Sequence, residues 1–419
     1  MAHRMRRVRI GFARCLATSV ASLAFATLAL AQGSESPGLL PAVTVTATGY
    51  AAREERTPAS VVSIDDDELF ARGASHVGDA IRGQPGLAVA RDAPAGQNPV
   101  LRGLKKESIV LLVDGMRLNS AQPAGAIATL MSLGLAERVE IVKGPASVLY
   151  GSGALGGVLN VRLAQARFEP GVQFRGGLRF DSVDTGWRAA GVVNAAVQDH
   201  ALMLGWAPAR VDDYRSPVGD VAGSGYDSDT VIGQYRWRLD GAHQFRLSLQ
   251  SHEDRDLRFP GSARPGTPPA LGTVTVRSPL QRRRLGEVGY TWSGDGNSGP
   301  TADVRLYRQE VRRQIRAFSA ALARDTSETD VTFETTGADT RLTWTQGRDH
   351  RLTVGANAWR TEASPERYLS NNPPLFDNRV RNVPFTDGRL QAGGVYAQDD
   401  WSLAQLAQNR GSGGARSST

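Results

Sequence analysis

The second half of the chain alternates apolar and polar residues with a period of two. From Gly171 onward this pattern returns in segment after segment of about ten residues. A period of two places alternate side chains on opposite faces of a β-strand, so each segment predicts a strand with one apolar face. The ten predicted strands are 172–180, 187–197, 201–210, 231–240, 244–249, 283–292, 301–311, 333–346, 350–359 and 390–402.

The connections between these strands alternate in length. Short turns are predicted at 198–200, 240–242, 293–300 and 347–349, and long loops at 211–229, 252–281, 312–332 and 360–389. Membrane-spanning strands need about 9–11 residues, and outer-membrane barrels alternate short periplasmic turns with long outer loops. All seven tryptophans fall within the strand candidates, several of them at strand ends, which is typical of an interfacial girdle. The pattern favours a transmembrane antiparallel β-barrel over a soluble sandwich.

The first 31 residues have the composition of a secretory signal peptide. Five arginines without any acidic residue precede an apolar run, and Ala29-Leu30-Ala31 forms an A-x-A site. We expect export and cleavage after Ala31; the alternative is a buried N-terminal helix. Without this leader the net charge falls from +7 to about +2, which removes the argument for nucleic-acid binding. The single cysteine, Cys15, also lies in the leader, which argues against disulfide scaffolds, zinc modules and thiol enzymes.

A short polar tether, residues 32–56, follows the leader. It contains Val43-Thr44-Val45-Thr46-Ala47, a β-branched segment with no strand partner nearby in the sequence. An isolated strand of this kind can join the next domain or pair with the sheet edge of another protein.

Residues 57–165 predict a small α+β domain. Strands are expected at 61–64, 109–113 and 138–142, and the second ends in the turn dipeptide Asp114-Gly115. Asp65 with Glu68 predicts a helix N-cap, and Ser75 predicts the cap of a second helix.

Gly151-Ser152-Gly153-Ala154-Leu155-Gly156 satisfies the dinucleotide-binding pattern G-x-G-x-x-G. That motif must follow a strand and open a helix, whereas Gly157 here leads into an apolar strand at 158–161. The glycines are therefore interpreted as sites of tight turns and close backbone packing.

Metal and catalytic sites find little support in the sequence. Asp65-Asp66-Asp67 fits helix-start acids better than a carboxylate metal cluster, and 293–300 lacks the closing glutamate of a calcium loop. Four scattered histidines are interpreted as surface or turn residues, although any of them could ligate haem iron; they are His76, His200, His243 and His252. No catalytic constellation, resident metal or cofactor is indicated.

An ordered set of motifs resembles the TonB-dependent outer-membrane receptors. The set consists of the strand segment 43–47, then Val100-Leu101-Arg102-Gly103, Leu112-Val113-Asp114-Gly115, 138–145 and 149–157. The motif residues of the small domain are Arg102, Gly103, Asp114, Gly115, Arg138, Glu140, Gly144, Pro145, Tyr150, Gly151, Gly153, Gly156 and Gly157.

The resemblance implies a plug domain at 57–165 inside a membrane β-barrel, of which 171–403 would form a part of about ten strands. It also implies outer-membrane lipid as surroundings, a ferric siderophore or haem as ligand, and the TonB complex as energy source. Residues 43–47 would then be the TonB box, since an unpaired strand suits β-augmentation by TonB. In the outer loops, we expect Arg255, Arg258 and Arg264 to attract an anionic iron complex.

Two departures from the family pattern shape the expectations. The tether leaves no room for a signalling domain ahead of the box, and the pattern ends after ten strands, whereas plugged transporters have about 22. The segment 404–419 has no alternation. We therefore expect a C-terminally truncated receptor; the alternatives are a non-functional fragment and a passive or structural barrel.

Overall fold

A computed structural model describes residues 43–44, 52–53, 60–91, 93, 95–118, 130, 132–151, 153–294, 299–347, 350–373 and 375–401. The predicted signal peptide, box residues 45–47 and the segment 404–419 lie outside these residues. Within the described part of the chain, no helix is both long and apolar enough to cross a membrane.

The N-terminal domain is a mixed α+β unit. Two short strands, β1 (Val43–Thr44) and β2 (Ala52–Arg53), precede it. Its own elements are β3 (Ser60–Asp65), α1 (Asp66–Ala71), α2 (Val77–Ile81), β4 (Leu87–Arg91), β5 (Gln97–Leu101), β6 (Leu104–Lys105), β7 (Ile109–Val113), β8 (Met116–Arg117), β9 (Ala136–Lys143), α3 (Ser147–Tyr150) and β10 (Gly157–Leu163). The predicted strands at 61–64, 109–113, 138–142 and 158–161 are confirmed.

The core of this domain lies around its five-stranded sheet, ordered β3-β9-β10-β7-β8. Strand β10 runs parallel to β7 and antiparallel to β9, so it is enclosed on both sides. Val139, Ile141, Leu159 and Val161 are fully buried. Strands covered on both faces carry continuous apolar runs rather than alternation, and each such side chain contributes about 1.5–3 kcal/mol on burial.

One of the two predicted helix caps is correct and the other is displaced. Asp65 Oδ1 accepts the Glu68 N–H at 2.9 Å, as predicted for an N-cap. The second helix is capped by His76 instead of Ser75, because the helix begins at Val77. Asp79 Oδ2 accepts the His76 N–H at 3.3 Å and so fixes the start one residue later than predicted.

A single large antiparallel sheet forms the rest of the described chain. Its strands are β11 (Gly171–Asp181), β12 (Gly186–Val197), β13 (His200–Val211), β16 (Tyr226–Arg238), β17 (His243–Pro265), β18 (Thr273–Ser293), β19 (Thr301–Ser319), β20 (Arg324–Gln346), β21 (His350–Asn371), β22 (Asn378–Arg381) and β23 (Gly388–Trp401). A small hairpin, β14 (Arg215–Ser216) and β15 (Gly219–Asp220), lies between β13 and β16. Apart from the four-residue β22, the sheet has the ten predicted strands.

The strands are longer than predicted, and most of the predicted loops are strand. Strand β20 has 23 residues, and β17 and β18 leave only 266–272 between them. The long hairpins continue because charged side chains pair across them where the apolar alternation ends. Arg312 Nη2 lies 2.6 Å from Asp330 Oδ2, for example. Hydropathy alternation marks the apolar part of a strand, whereas the backbone ladder extends beyond it.

The two faces of the sheet differ as the alternation predicts. On β13, Leu202, Leu204 and Trp206 are 43–53% exposed, whereas Ala201 and Met203 are buried against the N-terminal domain. Aromatic rings gather at the short-turn ends, where Phe245 and Tyr290 lie 5.1 Å apart between centroids. One tryptophan departs from the predicted girdle. Trp359 lies 5.6 Å from the guanidinium of Arg117 in the N-terminal domain and so belongs to the inward face.

Candidate functional site

A cavity of about 890 Å³ lies between the N-terminal domain and the end of the sheet that carries the long hairpins, which we call the outer end. Helix α2 and strand β4 contribute one side, and the ends of β11, β12 and β17 contribute the other. The charged side chains that line it are Arg72, Arg82, Arg91, Arg179, Arg188, Asp79, Asp181 and Asp184. Five guanidinium groups thus face three carboxylates, together with the rings of Phe180, Tyr214 and Tyr226.

Asp79 organises the domain side of this cavity. Its Oδ1 accepts hydrogen bonds from Arg82 Nη2 at 3.0 Å, Arg91 Nη2 at 3.1 Å and Gln97 Nε2 at 3.1 Å. Burial by itself would raise the pKa of Asp79, but the hydrogen bonds and charge of His76, with Gln97 and Arg91, outweigh it and lower the pKa. The carboxylate therefore stays charged at neutral pH and holds both arginines at the cavity.

The sheet side of the cavity is also a polar network. Tyr226 Oη lies 3.0 Å from His76 Nε2, which joins the sheet to the capped start of α2. Arg188 binds Asp181 at 2.6 Å and Asp184 at 2.8 Å. These contacts fix the side of the cavity that lies opposite Arg82 and Arg91.

His252 lies deeper, and its environment contradicts the prediction of a surface or turn histidine. It is 2% exposed on the inward face of β17, where Nδ1 is 2.9 Å from Thr230 Oγ1 and Nε2 is 3.2 Å from Asp254 Oδ2. The inward face of a barrel strand can bury polar groups because neighbouring strands supply partners. Within the described residues, no cluster of three or more histidine, cysteine or acidic side chains could hold a metal ion.

The structure does not bring the three predicted ligand arginines together. Arg255 lies on the outward face, with Nη1 3.3 Å from Asp229 Oδ2. Arg258 packs beside Gly223 of the neighbouring outer loop, and Arg264 lies near the tip of the β17–β18 hairpin. None of the three lines the 890 Å³ cavity. Their role in ligand capture stays a prediction.

A second set of contacts joins the Asp114-Gly115 turn to the middle of the sheet. Asp114 has φ 51° and Gly115 φ 81°, the left-handed pair expected of a two-residue hairpin turn between β7 and β8. Asp114 Oδ2 accepts from Gln250 Nε2 at 2.9 Å, and its carbonyl accepts from Arg305 Nη1 at 2.7 Å. The Leu163 N–H donates to Asp114 Oδ1 at 2.9 Å. The turn therefore anchors the domain to β17 and β19.

Two further pairs of motif residues have local roles. Arg102 and Gly103, with φ 49° and 81°, form the turn between β5 and β6. Arg138 Nε lies 3.9 Å from the buried Glu140 on β9.

The motif residues that follow β9 shape the backbone next to β10. The Gly144 N–H donates to the Gly156 carbonyl at 3.0 Å, and the neighbouring Pro145 is exposed. Gly151 ends α3, and the Tyr150 carbonyl accepts from Arg117 Nη1 at 3.3 Å.

The glycines of 151–157 act as the sequence analysis predicted. Gly157 starts a strand, which excludes the dinucleotide motif's helix. Its φ is +141°, and a Cβ at this position would lie 2.1 Å from the Val142 carbonyl oxygen. Gly153 has φ +93° and lies against the Glu107 carbonyl, while a Cβ on Gly156 would lie 2.8 Å from Leu104 Cβ. These glycines allow close backbone approach.

The predicted TonB box is only partly described. Val43 and Thr44 pair antiparallel with Arg53 and Ala52, so the expectation that the segment lacks a partner within the chain is wrong for these two residues. The pairing spans two residues and lies just ahead of the N-terminal domain.

Comparison with known proteins agrees with this architecture. Residues 53–158 match the family model of the TonB-dependent Receptor Plug Domain. The chain is 28% identical over 354 residues to the hemin receptor of Yersinia pestis, covering 83% of this chain and 50% of the relative. Its N-terminal domain is a TonB-dependent receptor plug. The large sheet is a partial β-barrel of the outer-membrane type, and the chain resembles the TonB-dependent receptors.

Further matches share this fold, and their names give different ligands. The vitamin B12 transporter BtuB of Vibrio vulnificus is 30% identical over 207 residues, with 48% of this chain and 33% of the relative covered. The solved structure of the copper transporter OprC has a TM-score of 0.67 and 17% identity, over 82% of this chain and 53% of that chain. The chain thus spans about half the length of the hemin receptor that it matches. These family members are outer-membrane proteins of Gram-negative bacteria.

Sequence reasoning missed the residues of the barrel sheet that bind the plug. Tyr226, Gln250 and Arg305 carry these contacts. The alternation contained a signal that could have identified such contacts. Gln250, His252 and Asp254 occupy successive inward positions of β17. Polar residues on the face that the period-two pattern turns inward indicate a polar lumen and a polar partner.

Proposed function

We propose that this chain belongs to a receptor that captures an anionic iron compound, a ferric siderophore or haem, at the outer face of its plug. The arginine-rich cavity between plug and wall carries the proposal. Transport would draw its energy from TonB, and we assign the TonB-binding segment to the box at 43–47. Export through the predicted signal peptide at 1–31 is part of the same proposal.

The charge arrangement in the cavity favours an anion. Arg82 and Arg91 share the single carboxylate of Asp79, and their side chains are 65% and 44% exposed. Two guanidinium groups on one carboxylate leave a positive charge and unused N–H donors. Arginine binds carboxylates and other planar anions through paired hydrogen bonds, so haem propionates or the anionic groups of a ferric chelate are suitable partners.

The relatives support the ligand class. The hemin receptor of Yersinia pestis aligns over most of this chain. A cavity dominated by arginine discriminates in favour of ligands that carry negative charge. Haem and ferric siderophores both meet this requirement.

We expect Arg82→Ala/Arg91→Ala to weaken ligand binding by about tenfold, since each lost charge-assisted hydrogen bond contributes about 1.5–3 kcal/mol before solvent screening. The measurement is a titration of the detergent-solubilised chain with hemin, followed by absorbance, and with ferric siderophores, followed by fluorescence quenching. The loss should shrink as the salt concentration rises.

The matched control is Arg215→Ala/Arg324→Ala, which removes two exposed arginines outside the cavity. Unchanged affinity in Arg82→Ala/Arg91→Ala at low salt would reject the cavity as the capture site. The triple variant at Arg255, Arg258 and Arg264 tests the loop arginines separately. A loss there alone would move the site to the outer hairpins.

We expect Val45→Pro to abolish energised uptake by a full-length receptor while leaving ligand binding intact. Proline removes a backbone N–H and fixes φ, so a strand of TonB could not add to the segment. The two-residue pairing of β1 with β2 is short enough to be exchanged for a partner strand. Uptake of radiolabelled iron complex checks the prediction, with Val45→Thr as a β-branched control. Unimpaired uptake in Val45→Pro would contradict the assignment of the box.

A further inference from the structure

A second cavity, of about 300 Å³, lies beside the arginine-rich cavity, and we call it the inner pocket. Helix α1 and the segment 132–136 of the plug contribute one side, and strands β11, β12 and β13 contribute the other. Most of its lining is apolar, and the larger apolar side chains are Leu69, Phe70, Leu133, Leu135 and Val192. A lining of this kind selects apolar groups over charged ones.

Glycine keeps the inner pocket open on the side of β11. Gly177 lies between Arg175 and Arg179, which bind Asp66 and the Gly73 carbonyl of the plug, so position 177 faces the plug as well. A Cβ built on Gly177 would have one neighbour within 4 Å, Phe70 Cε2 at 3.8 Å. A larger side chain at this position would therefore occupy the pocket.

The inner pocket and the arginine-rich cavity are direct neighbours. Six residues line both of them: Gly73, Ser75, His76, Arg179, Arg188 and Tyr226. Two contacts between plug and wall lie at this shared boundary. His76 Nε2 is 3.0 Å from Tyr226 Oη, and the Arg179 guanidinium donates to the Gly73 carbonyl. Because one hydrogen bond contributes little net stability, a ligand group can part these contacts and pass from one cavity into the other.

The size and polarity of the inner pocket fit an aryl group. An apolar protein cavity of about 150 Å³ holds one benzene molecule, so about 300 Å³ has room for two fused rings. His252 and Asp254 also line the pocket, but His252 Nε2 lies 3.2 Å from Asp254 Oδ2, and Nδ1 lies 2.9 Å from Thr230 Oγ1. These polar groups already have partners, so the pocket favours an uncharged occupant.

We propose that the inner pocket binds an aryl group of the same compound whose anionic group is held at Arg82 and Arg91. The inference rests on the proposed function and narrows its ligand to anionic compounds that carry an aryl group of up to two fused rings. Of the two ligand classes, it favours ferric chelates with aryl groups, since the porphyrin ring system of haem is larger than two fused rings.

The test compares three probes that separate the anion from the aryl group. Naphthalene-2-sulfonate carries both, methanesulfonate carries the anion alone, and naphthalene-2-methanol carries the aryl group alone. Equilibrium dialysis measures their binding to the full chain in detergent micelles, with empty micelles as the blank. We expect naphthalene-2-sulfonate to bind at least about tenfold more tightly than either of the other two.

A variant that fills the inner pocket tests the aryl site by itself. Gly177→Leu should remove about tenfold of the affinity for naphthalene-2-sulfonate and change that for methanesulfonate by less than about twofold. The matched control is Gly393→Leu, which adds the same side chain to exposed β23, where the nearest neighbour of a built Cβ is 3.5 Å away. It should change neither affinity. An unchanged affinity for naphthalene-2-sulfonate in Gly177→Leu would overturn the proposal, and so would an equal loss for the two sulfonates.

A second variant tests the boundary between the cavities. Tyr226→Phe removes the hydroxyl that contacts His76 and keeps the ring, so the aryl group should enter more easily. We expect the association rate of naphthalene-2-sulfonate to rise by about two- to tenfold, measured by stopped-flow fluorescence of the naphthyl group. An unchanged or slower rate would contradict entry through this boundary.

The probes also separate this inference from the proposed function. Equal binding of the two sulfonates, with both weakened in Arg82→Ala/Arg91→Ala, would reject the inner pocket and leave the arginine-rich cavity as the anion site. If Arg82→Ala/Arg91→Ala weakens neither sulfonate, the proposed function and this inference both fail. Binding of naphthalene-2-methanol as tight as that of naphthalene-2-sulfonate would show that the pocket acts without the arginines, which would also overturn the proposal.

Discussion

Replacing Gly157 with alanine should destabilise the plug by more than about 4 kcal/mol and prevent β9 and β10 from pairing. The new Cβ would lie 2.1 Å from the Val142 carbonyl oxygen, and the backbone at this position has φ +141°. Val142 belongs to the strand that pairs with β10, so the oxygen cannot move aside without breaking the ladder. Hydrogen exchange of amides in β7, β9 and β10 measures the effect, because their protection depends on this sheet.

Gly103→Ala is the matched control for that experiment. Gly103 also has a positive φ, +81°, but no atom lies within 4 Å of a Cβ built there. This variant should cost only about 1–2 kcal/mol, the strain of a left-handed residue that carries a side chain. Similar loss of protection in the two variants would show that the backbone angle, and not the contact with Val142, makes glycine necessary at position 157.

Asp114→Ala should release the plug from the barrel wall. The substitution leaves the Gln250 amide and the Leu163 N–H without their carboxylate acceptor, in a site where Asp114 is 7% exposed. Unpaired buried polar groups cost about 1–3 kcal/mol each, so we expect a loss of about 2–6 kcal/mol for the two groups. Limited proteolysis of the folded full chain checks the result, since a released plug should be cleaved at much lower protease concentration. Asp240→Ala, in an exposed turn, is the control and should leave the plug protected.

The stability that Asp114 contributes to the plug should depend on pH in a defined direction. Burial raises the pKa of Asp114, against the opposing effects of Arg162 and the Leu163 N–H. The folded protein thus holds the proton more tightly than the unfolded chain, and the resulting stability is fully present below about pH 4, the ordinary aspartate pKa. It is lost as pH rises through the folded-state value. Plug protection should therefore weaken as pH rises across this window in the native chain and stay flat in Asp114→Asn. A wild-type profile without this slope would contradict the role of burial.

Local features of the plug could be predicted from the sequence because short-range sterics and hydrogen bonds decide them. Asp65 caps α1, the Asp114-Gly115 pair forms the turn after β7, and Gly157 opens a strand. Each of these depends on a few consecutive residues, whose backbone preferences are intrinsic. The displaced cap of α2 shows the limit of this reasoning. Ser75 and His76 are adjacent, and the side chain of Asp79 decides between them.

The barrel strands show a similar division between local pattern and tertiary contact. Period-two alternation gives their number and their apolar face, because burial in lipid acts on every second residue. Their length depends on cross-strand partners such as Arg312 and Asp330, and a partner's position along the chain is set by register. The hydropathy pattern does not reveal that register. For this reason, segments that were predicted as loops are strands in the structure.

The sequence by itself determined two features of this chain. The glycine-rich plug motif follows from local backbone geometry, and the strands of membrane-spanning character follow from a repeating apolar face. Only the tertiary structure decided which side chains form sites. Asp114 and Gln250 are 136 positions apart, and His76 and Tyr226 are 150 apart, yet each pair is in hydrogen-bond contact. Such contacts arise when the plug packs against the inward face of the sheet. Strand register and curvature, which involve the whole sheet at once, then select the partners.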